Sequence, residues 1–246
     1  MDRWIGKVAV VTGASAGIGS ATVKKLIDSG LIVVGLARRV DRVEALKKKL
    51  DETDRDRLHA IKCDVSKESD IISSFRWIDE KLGGVHILIN NAAVSFDTNL
   101  LTPGNTSMLR ETLNTNVLGS VLCTREAFHS MKTRSVDGHI VYINSIAGHN
   151  VPAFPEFNIY PASKFAITAI TETTRQELRM EGTKIKVTSI SPGAVRTDML
   201  PKEGWAADIA TLQPEDIADA IVYVLGTPPH VQIHELTIKP VGEDVL

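Results

Sequence analysis

A chain of 246 residues, 43% hydrophobic and 24% charged, can bury the core of one large α/β domain or two small ones. Its net charge of −2 offers no field for nucleic acid or an anionic membrane, and no apolar run reaches the ~18–20 residues of a membrane span. A strand pattern begins by Lys7 and leaves no room for a signal peptide, so a cytoplasmic protein is expected. Cys63 and Cys123 lie in apolar segments and read as buried thiols of a reducing compartment. His230 and His234 are four apart, but their segment reads as a strand. That spacing parts the rings by ~13 Å, so no metal site is expected.

The first predicted strand is the β-branched run 7–12. It leads into Gly13-Ala-Ser-Ala-Gly-Ile-Gly19 and a helical pattern that stops at Gly30. A glycine turn between strand and helix lets backbone approach a pyrophosphate, with the free N–H groups of the helix start aimed at it. The spacing is G-x3-G-x-G; the strand–turn–helix setting gives it weight. A second strand, 31–37, ends at Arg38 and Arg39. An acidic residue at this place favours NAD, whereas Arg accommodates a 2′-phosphate, so NADP(H) is expected. The plainer alternative is that both Arg begin a solvated charged helix.

A third strand, 58–63, ends at Asp64 and Val65. Asp64 could accept a hydrogen bond from an adenine amino group, or cap the next helix at 66–82. Gly83-Gly84 stop that helix, and strand 85–89 runs into Asn90-Asn91-Ala92-Ala93. A loop with Pro103 and Gly104 precedes a long helix at 107–133, whose apolar stripe reads Leu109, Leu113, Val117 and Val121. Asn116 falls at the edge of that stripe, and a buried amide needs partners. It serves either a local cap, or a water or backbone group beside a reaction site.

Strand 138–144 delivers Ser145. A second long helix follows Tyr160, with Pro161 fitting its first turn. Tyr160 and Lys164 are four apart and share one helix face. A free Tyr titrates near ~10, and a neighbouring ammonium favours its phenolate, bringing it into reach as an acid–base. An exposed Tyr and Lys on a surface helix is the plainer reading. Strand 184–191 ends in Pro192-Gly193-Ala194-Val195-Arg196-Thr197. Residues 198–213 show weak periodicity and read as a flap over a substrate. Helix 214–225 and strand 232–238 complete the chain. Seven strands alternating with helices imply one domain over 1–246, a doubly wound parallel sheet with helices on both faces.

Taken together, Thr12-Gly-Ala-Ser-Ala-Gly-Ile-Gly19, Asn90-Asn-Ala-Ala93, Asn116, Ser145, Tyr160-Pro-Ala-Ser-Lys164 and Ser191-Pro-Gly193 resemble the short-chain dehydrogenase/reductase family, in its compact single-domain branch. The resemblance covers essentially the whole chain. It implies a Rossmann-type NAD(P)-binding fold. It implies Tyr160 as proton donor or acceptor at the substrate oxygen, with Lys164 lowering its pKa and binding the nicotinamide ribose. Ser145 would orient the substrate oxygen, and Asn116 would hold a water in a relay to Lys164. Gly13, Ser15, Ala16, Gly17, Ile18, Gly19, Arg38, Arg39, Asp64, Val65, Asn91, Pro192, Gly193, Val195 and Thr197 match cofactor-contact positions.

Two residues depart from the family pattern. Ala93 stands where the family usually has Gly. Ala16 stands where many NADP-preferring members carry a basic residue, so NADP preference rests on Arg38 and Arg39. The segments 33–39 and 212–233 are similar to the branch that holds the insect farnesol dehydrogenases and acts on isoprenoid alcohols and on keto or hydroxy steroids. An apolar alcohol or carbonyl fits Val151, Phe154, Phe157 and Trp205, although ordinary loop packing explains those residues equally.

The expected chemistry is reversible hydride transfer between NADP(H) and a carbinol or carbonyl carbon. A nucleotide-sugar epimerase shares Tyr-x-x-x-Lys but needs a larger C-terminal domain than residues 192–246 supply. A dinucleotide sensor without turnover has no need of Asn116, Ser145, Tyr160 and Lys164 together. The helices at 107–133 and 158–181 keep apolar residues beyond one sheet face, and with the resemblance they suggest a homodimer or homotetramer.

Overall fold

The computed structural model describes residues 1–151, 153, 156–200 and 209–243. Among them, β1 (Val8–Thr12), β2 (Ile32–Ala37), β3 (Leu58–Lys62), β4 (Ile87–Asn90), β5 (His139–Ile143), β6 (Lys186–Pro192) and β7 (Glu235–Ile238) form one sheet. Every pairing is parallel, in the order β3-β2-β1-β4-β5-β6-β7. The order reverses between β1 and β4, and a parallel sheet binds ligands outside its strand C-termini at such a reversal.

Helices alternate with the strands: α1 (Gly17–Asp28), α2 (Val40–Lys48), the four-residue α3 (Glu52–Arg55), α4 (Glu68–Leu82), α5 (Thr106–Leu113), α6 (Ser120–Thr133), α7 (Tyr160–Met180) and α8 (Pro214–Leu225). Strand side chains alternate between two cores. Ala9 and Val11 join Leu26, Ile27, Ile221 and Val224 on the α1–α8 face. Val8 and Val10 join Ile71, Phe75, Cys123 and Leu178 on the α4–α6–α7 face. Both cysteines are buried and unpaired. Among the described residues no helix is long and apolar enough to cross a membrane.

Three expectations change in the structure. The seventh strand is shorter than 232–238, because 232–234 hydrogen-bond through Gln232 and Ile233 without joining the ladder. The long helix after Pro103 is interrupted between α5 and α6 by a π-helical stretch, Asn114–Gly119. The stripe Leu109, Leu113, Val117 and Val121 does not face the sheet: Leu113 and Val121 are 39% and 38% exposed. The inner face carries Thr112, Thr115, Asn116, Gly119 and Ser120 instead. The reason is proximity. A methyl on Gly119 would lie 2.7 Å from the Val65 carbonyl oxygen, so only small or hydrogen-bonded residues fit inside and the large apolar ones turn outward.

Candidate active site

The first wall of the site is the turn after β1. Gly13 and Gly17 take φ of +67° and +53°, which glycine adopts without strain. A methyl on Gly19 would overlap the Gly13 carbonyl oxygen and stand 2.6 Å from Asn91 Nδ2. Asn91 clamps this turn to the end of β4. Its Nδ2 donates to Thr12 O (2.8 Å) and Gly13 O (3.3 Å). The backbone N–H groups of Asn91 and Ala92 both donate to Thr12 Oγ1 at 3.0 Å. α1 begins after Ala16 with no side-chain cap. Its first N–H groups and its positive dipole end are therefore available at the cavity that Ala16, Gly17 and Ile18 line.

The second wall joins β5 to α7. Tyr160 opens α7, its N–H donating to Phe157 O (3.0 Å) and its ring edge-on to Phe157 at 5.8 Å. One turn later Lys164 is 4% exposed. Its Nζ donates to the carbonyl of Ile143, the last residue of β5, at 2.9 Å. Ser145 Oγ accepts from the Ala147 N–H (3.1 Å), capping a single 3-10 turn. That turn lies directly on α7: Thr168 Oγ1 donates to Gly148 O (2.9 Å), and Asn144 Nδ2 to Thr168 Oγ1 (3.0 Å). A methyl on Gly148 would stand 2.8 Å from Lys164 O. Glycine at 148 thus lets the Ser145 turn meet the Tyr160 helix.

The electrostatics differ from the expectation that Lys164 lowers the Tyr160 pKa. Burial pushes the Tyr160 phenol up to about 12, opposed by its hydrogen bond with Ser145. Burial also brings the Lys164 ammonium down to about 8. The Nζ hydrogen bond goes to Ile143 O, with the Tyr160 ring centroid 5.6 Å away. Desolvation is the largest cause of both shifts and drives each group towards its neutral form.

Asn116 resolves in favour of a backbone anchor. Its Oδ1 accepts from Val94 N (2.8 Å), and its Nδ2 donates to Val94 O (3.0 Å) and Ser163 Oγ (3.1 Å). Ser163 Oγ in turn donates to Tyr160 O (2.6 Å). The carboxamide thus holds the loop after β4 against the first turn of α7.

Between these walls lies a cavity of about 710 Å³. Gly13, Ser15, Arg38, Arg39, Asp64, Val65 and Asn91 line it beside β1–β4, Ser145, Phe157, Tyr160, Lys164, Pro192, Gly193 and Val195 line it beside β5 and β6, and Thr197 stands against Gly17. Gly19 stands behind the turn, where it allows the close approach, and Asn116 also stands off the wall. Asp64 Oδ1 accepts from Ser66 N (3.1 Å) and Ser66 Oγ (2.7 Å), a local cap beside its place on the wall. Arg38 Nη1 pairs with Glu111 Oε1 at 2.9 Å. Arg39 immediately precedes α2 and is exposed.

Val151 is 69% exposed and is not among the residues lining the cavity. Phe154 and Trp205 lie outside the described residues. So does the 201–208 part of the expected flap. Met199, Leu200 and Ile209 line the cavity, and Leu212 is not loose: it pairs with Val195, its N–H donating to Ala194 O (2.8 Å). Glu111 and Glu243 also line the cavity. Sequence reasoning missed both, since neither lies in a recognisable pattern.

Comparison with known proteins agrees with this architecture. A family model described as short chain dehydrogenase matches residues 7–206. The chain is 63% identical to farnesol dehydrogenase of Aedes aegypti, over 99% of both chains. It is 44% identical to dehydrogenase/reductase SDR family member 11 of Homo sapiens, over 98% of this chain and 96% of that one. Among solved structures, a closed form of serine dehydrogenase complexed with NADP+ superposes with a TM-score of 0.86, at 28% identity over 96% of both chains. From its motifs, its sheet order and these relatives, the chain is an oxidoreductase of the short-chain dehydrogenase/reductase family.

Proposed function

We propose that this protein is an NADP-dependent dehydrogenase of an apolar alcohol, farnesol or a related isoprenoid alcohol in the first place. The observation that carries the substrate is the 63% identity to a farnesol dehydrogenase over essentially full length. The residues fit a dinucleotide. Glycines pack the turn so tightly that side chains are excluded, α1 starts uncapped, and two Arg stand at the end of β2. Arg38 and Arg39 would hold the 2′-phosphate and the first turn of α1 the pyrophosphate, while Lys164 would reach the nicotinamide ribose. When bound, the cofactor supplies the hydride acceptor in alcohol oxidation and the donor in carbonyl reduction. Ser145 Oγ and the Tyr160 phenol hydrogen-bond the substrate oxygen. In oxidation Tyr160 would take the hydroxyl proton as its phenolate, and in reduction the phenol would give its proton to the substrate oxygen. Asn116 fixes the first turn of α7 and with it the phenol. The protein works in the cytoplasm in this reading, where Cys63 and Cys123 stay reduced.

A second copy completes the assembly in the same reading. Leu113, Leu118, Val121 and Phe165 expose apolar side chains on the neighbouring α5, π-helical, α6 and α7 segments. Exposed apolar side chains on neighbouring helical segments suit an isologous dimer or tetramer. Sedimentation velocity at micromolar concentration should show the wild type as a dimer or larger, and Leu113→Glu with Val121→Glu as a smaller species. A monomeric wild type would refute the pairing.

Steady-state assays with farnesol, geraniol and a 3- or 17-hydroxysteroid test the reaction. Turnover of farnesol with NADP+ is expected, falling at least about 10²-fold in Tyr160→Phe, the range of a lost acid–base group. A preference for the steroid would move the substrate to the alternative class. NADPH binding without turnover of any carbonyl would turn the protein into a dinucleotide sensor.

Cofactor choice is tested by binding. Arg38→Ala with Arg39→Ala should weaken NADP+ about 10-fold or more, the scale of one or two charge-assisted hydrogen bonds, and leave NAD+ nearly unchanged. An unchanged NADP+/NAD+ ratio would remove the 2′-phosphate assignment.

Lys164 links catalysis to stability. Its folded pKa of about 8 lies below the ordinary lysine value. Below pH 8 the group is charged in both states, and the folded state carries a burial penalty on the order of 3 kcal/mol. The penalty is relieved as pH rises from about 8 towards the unfolded value near 10.4. Lys164→Met should therefore be at least as stable as wild type at pH 7 in urea titrations. It should also lack the wild type's relative gain across that pH window. A variant clearly less stable at pH 7 would show that the lysine is structural.

A further inference from the structure

The 3-10 turn that Ser145 opens is a single one, Ile146–Gly148. So short a turn, with the poorer hydrogen bonds of its type, has little stability of its own and depends on what holds it. Its α7 side is held through Thr168, which donates to Gly148 O and accepts from Asn144 Nδ2. His149 follows the turn, its N–H donating to Ile146 O at 2.9 Å, and beyond it Asn150 and Val151 are exposed. The His149 ring reaches back to the sheet. Its Nε2 stands 3.0 Å from Ser191 Oγ on β6 and 3.3 Å from Glu235 Oε1 on β7. Ser191 is fully buried, and its Oγ donates to Glu235 Oε1 at 2.5 Å. That bond uses the only proton of the hydroxyl, so Oγ, like the carboxylate, can only accept from the ring. Nε2 therefore carries the hydrogen, shared between the two oxygens. Ser191 leads directly into Pro192 and Gly193, which line the cavity, whereas His149 does not.

We infer that His149 is a positioning residue for the proposed reaction: by donating to Ser191 and Glu235 it pins the end of the Ser145 turn to β6 and β7, and so fixes the Ser145 hydroxyl beside the Tyr160 phenol. The inference rests on the reading of Ser145 as the residue that holds the substrate oxygen. The turn and the hydroxyl are one unit. Ser145 Oγ accepts from the Ala147 N–H, and Ser145 O accepts from the Gly148 N–H at 2.9 Å. A turn that shifts carries Oγ with it, away from its hydrogen bond with Tyr160. The contacts through Thr168 hold the turn against α7, and those of His149 hold its end against the two strands. With both in place, the hydroxyl has a fixed place relative to the helix bearing the phenol and to the strand end that lines the cavity. Misplacing a reacting contact by about 1 Å costs on the order of 10²-fold in rate, so a clamp outside the cavity can set the rate inside it.

The test is a double-mutant cycle with farnesol and NADP+. It measures kcat, KM for farnesol, the NADP+ dissociation constant and the ligand-free thermal midpoint. The proteins are wild type, His149→Ala, His149→Gln, Ser145→Ala and the Ser145→Ala/His149→Ala double variant. His149→Ala should lower kcat about 10-fold or more, with KM and NADP+ binding kept within about twofold. His149→Gln, whose amide can donate in place of the ring, should recover part of the loss. In the Ser145→Ala background the His149 substitution should cost no further kcat, since a residue that acts only through Ser145 then has nothing left to position. An unchanged kcat in His149→Ala, or the same loss in both backgrounds, would overturn the inference. So would a loss of kcat matched by weaker NADP+ binding and a lowered midpoint, which marks a general structural role. Ser145→Ala with wild-type kcat would instead fail the reading of Ser145, an outcome distinct from a Ser145→Ala that falls while His149→Ala does not. The clamp is also read without substrate or cofactor. A long-range proton–nitrogen correlation spectrum should show the neutral His149 ring protonated at Nε2, and a ring protonated at Nδ1 alone would overturn the inference.

Discussion

The reactive end of this molecule depends on a charge taken out of water. Lys164 is buried under the first turn of α7, and its ammonium donates to the carbonyl of Ile143 at the end of β5. That one hydrogen bond joins the helix bearing Tyr160 to the strand delivering Ser145. The price of the arrangement is legible in the lysine itself, whose pKa falls to about 8. A parallel sheet filled on both faces by aliphatic side chains can carry such a penalty without unfolding. The phenol meets the same medium and is pushed the other way, to about 12. Each group separately resists its charged form, so transfer of the phenol proton and retention of the ammonium become one coupled problem. A site built this way keeps the phenol protonated and the ammonium charged below about pH 8, with each held nearer to its neutral form than in water.

Orientation comes from elements that carry no charge. The π-helical stretch between α5 and α6 places Asn116 inside, where a helix packed this closely admits small or fully bonded residues. Short π segments recur at functional sites because they redirect a side chain without ending the helix. Here the redirected carboxamide meets both polar groups of Val94 and the hydroxyl of Ser163, which reaches Tyr160 O. The loop after β4 and the start of α7 are thereby held in one register. Asn91 plays the matching part at the other end, clamping Thr12 and Gly13. Both amides act by fixing backbone, and in both cases the reacting groups belong to other residues.

The alternation of β-branched runs and helical segments reveals the doubly wound sheet from sequence, because parallel strands buried on both faces must be apolar throughout. The Ser145–Tyr160–Lys164 set is equally visible, since helix periodicity puts the last two on one face. The outward turn of Leu113 and Val121 is not visible. It depends on how near Gly119 comes to Val65 O, a distance between segments far apart in the chain. The direction of the Tyr160 shift is hidden for a similar reason: spacing shows that an ammonium is near, but burial decides whether desolvation exceeds its attraction. Glu243 is hidden more thoroughly. It follows the last strand in an ordinary polar tail, and only the parallel pairing of β6 with β7 carries it back to Gly193.

The two ends of the cavity treat charge in opposite ways, and that contrast bears on how a dinucleotide would be held. At the β2 end, Arg38 pairs with Glu111 in the open, both side chains well exposed. An exposed pair contributes about 0–1 kcal/mol and is screened by salt. A phosphate dianion offering several acceptors would therefore displace the Glu111 carboxylate from Arg38 at little expense. At the β6 end, Glu243 is enclosed, with Lys239 Nζ 3.8 Å from one carboxylate oxygen. The Arg38 contact is cheap to exchange and loosely directional. In the proposed reading, affinity for the phosphate varies with ionic strength. In that reading the open arginine end would capture the cofactor by its phosphate.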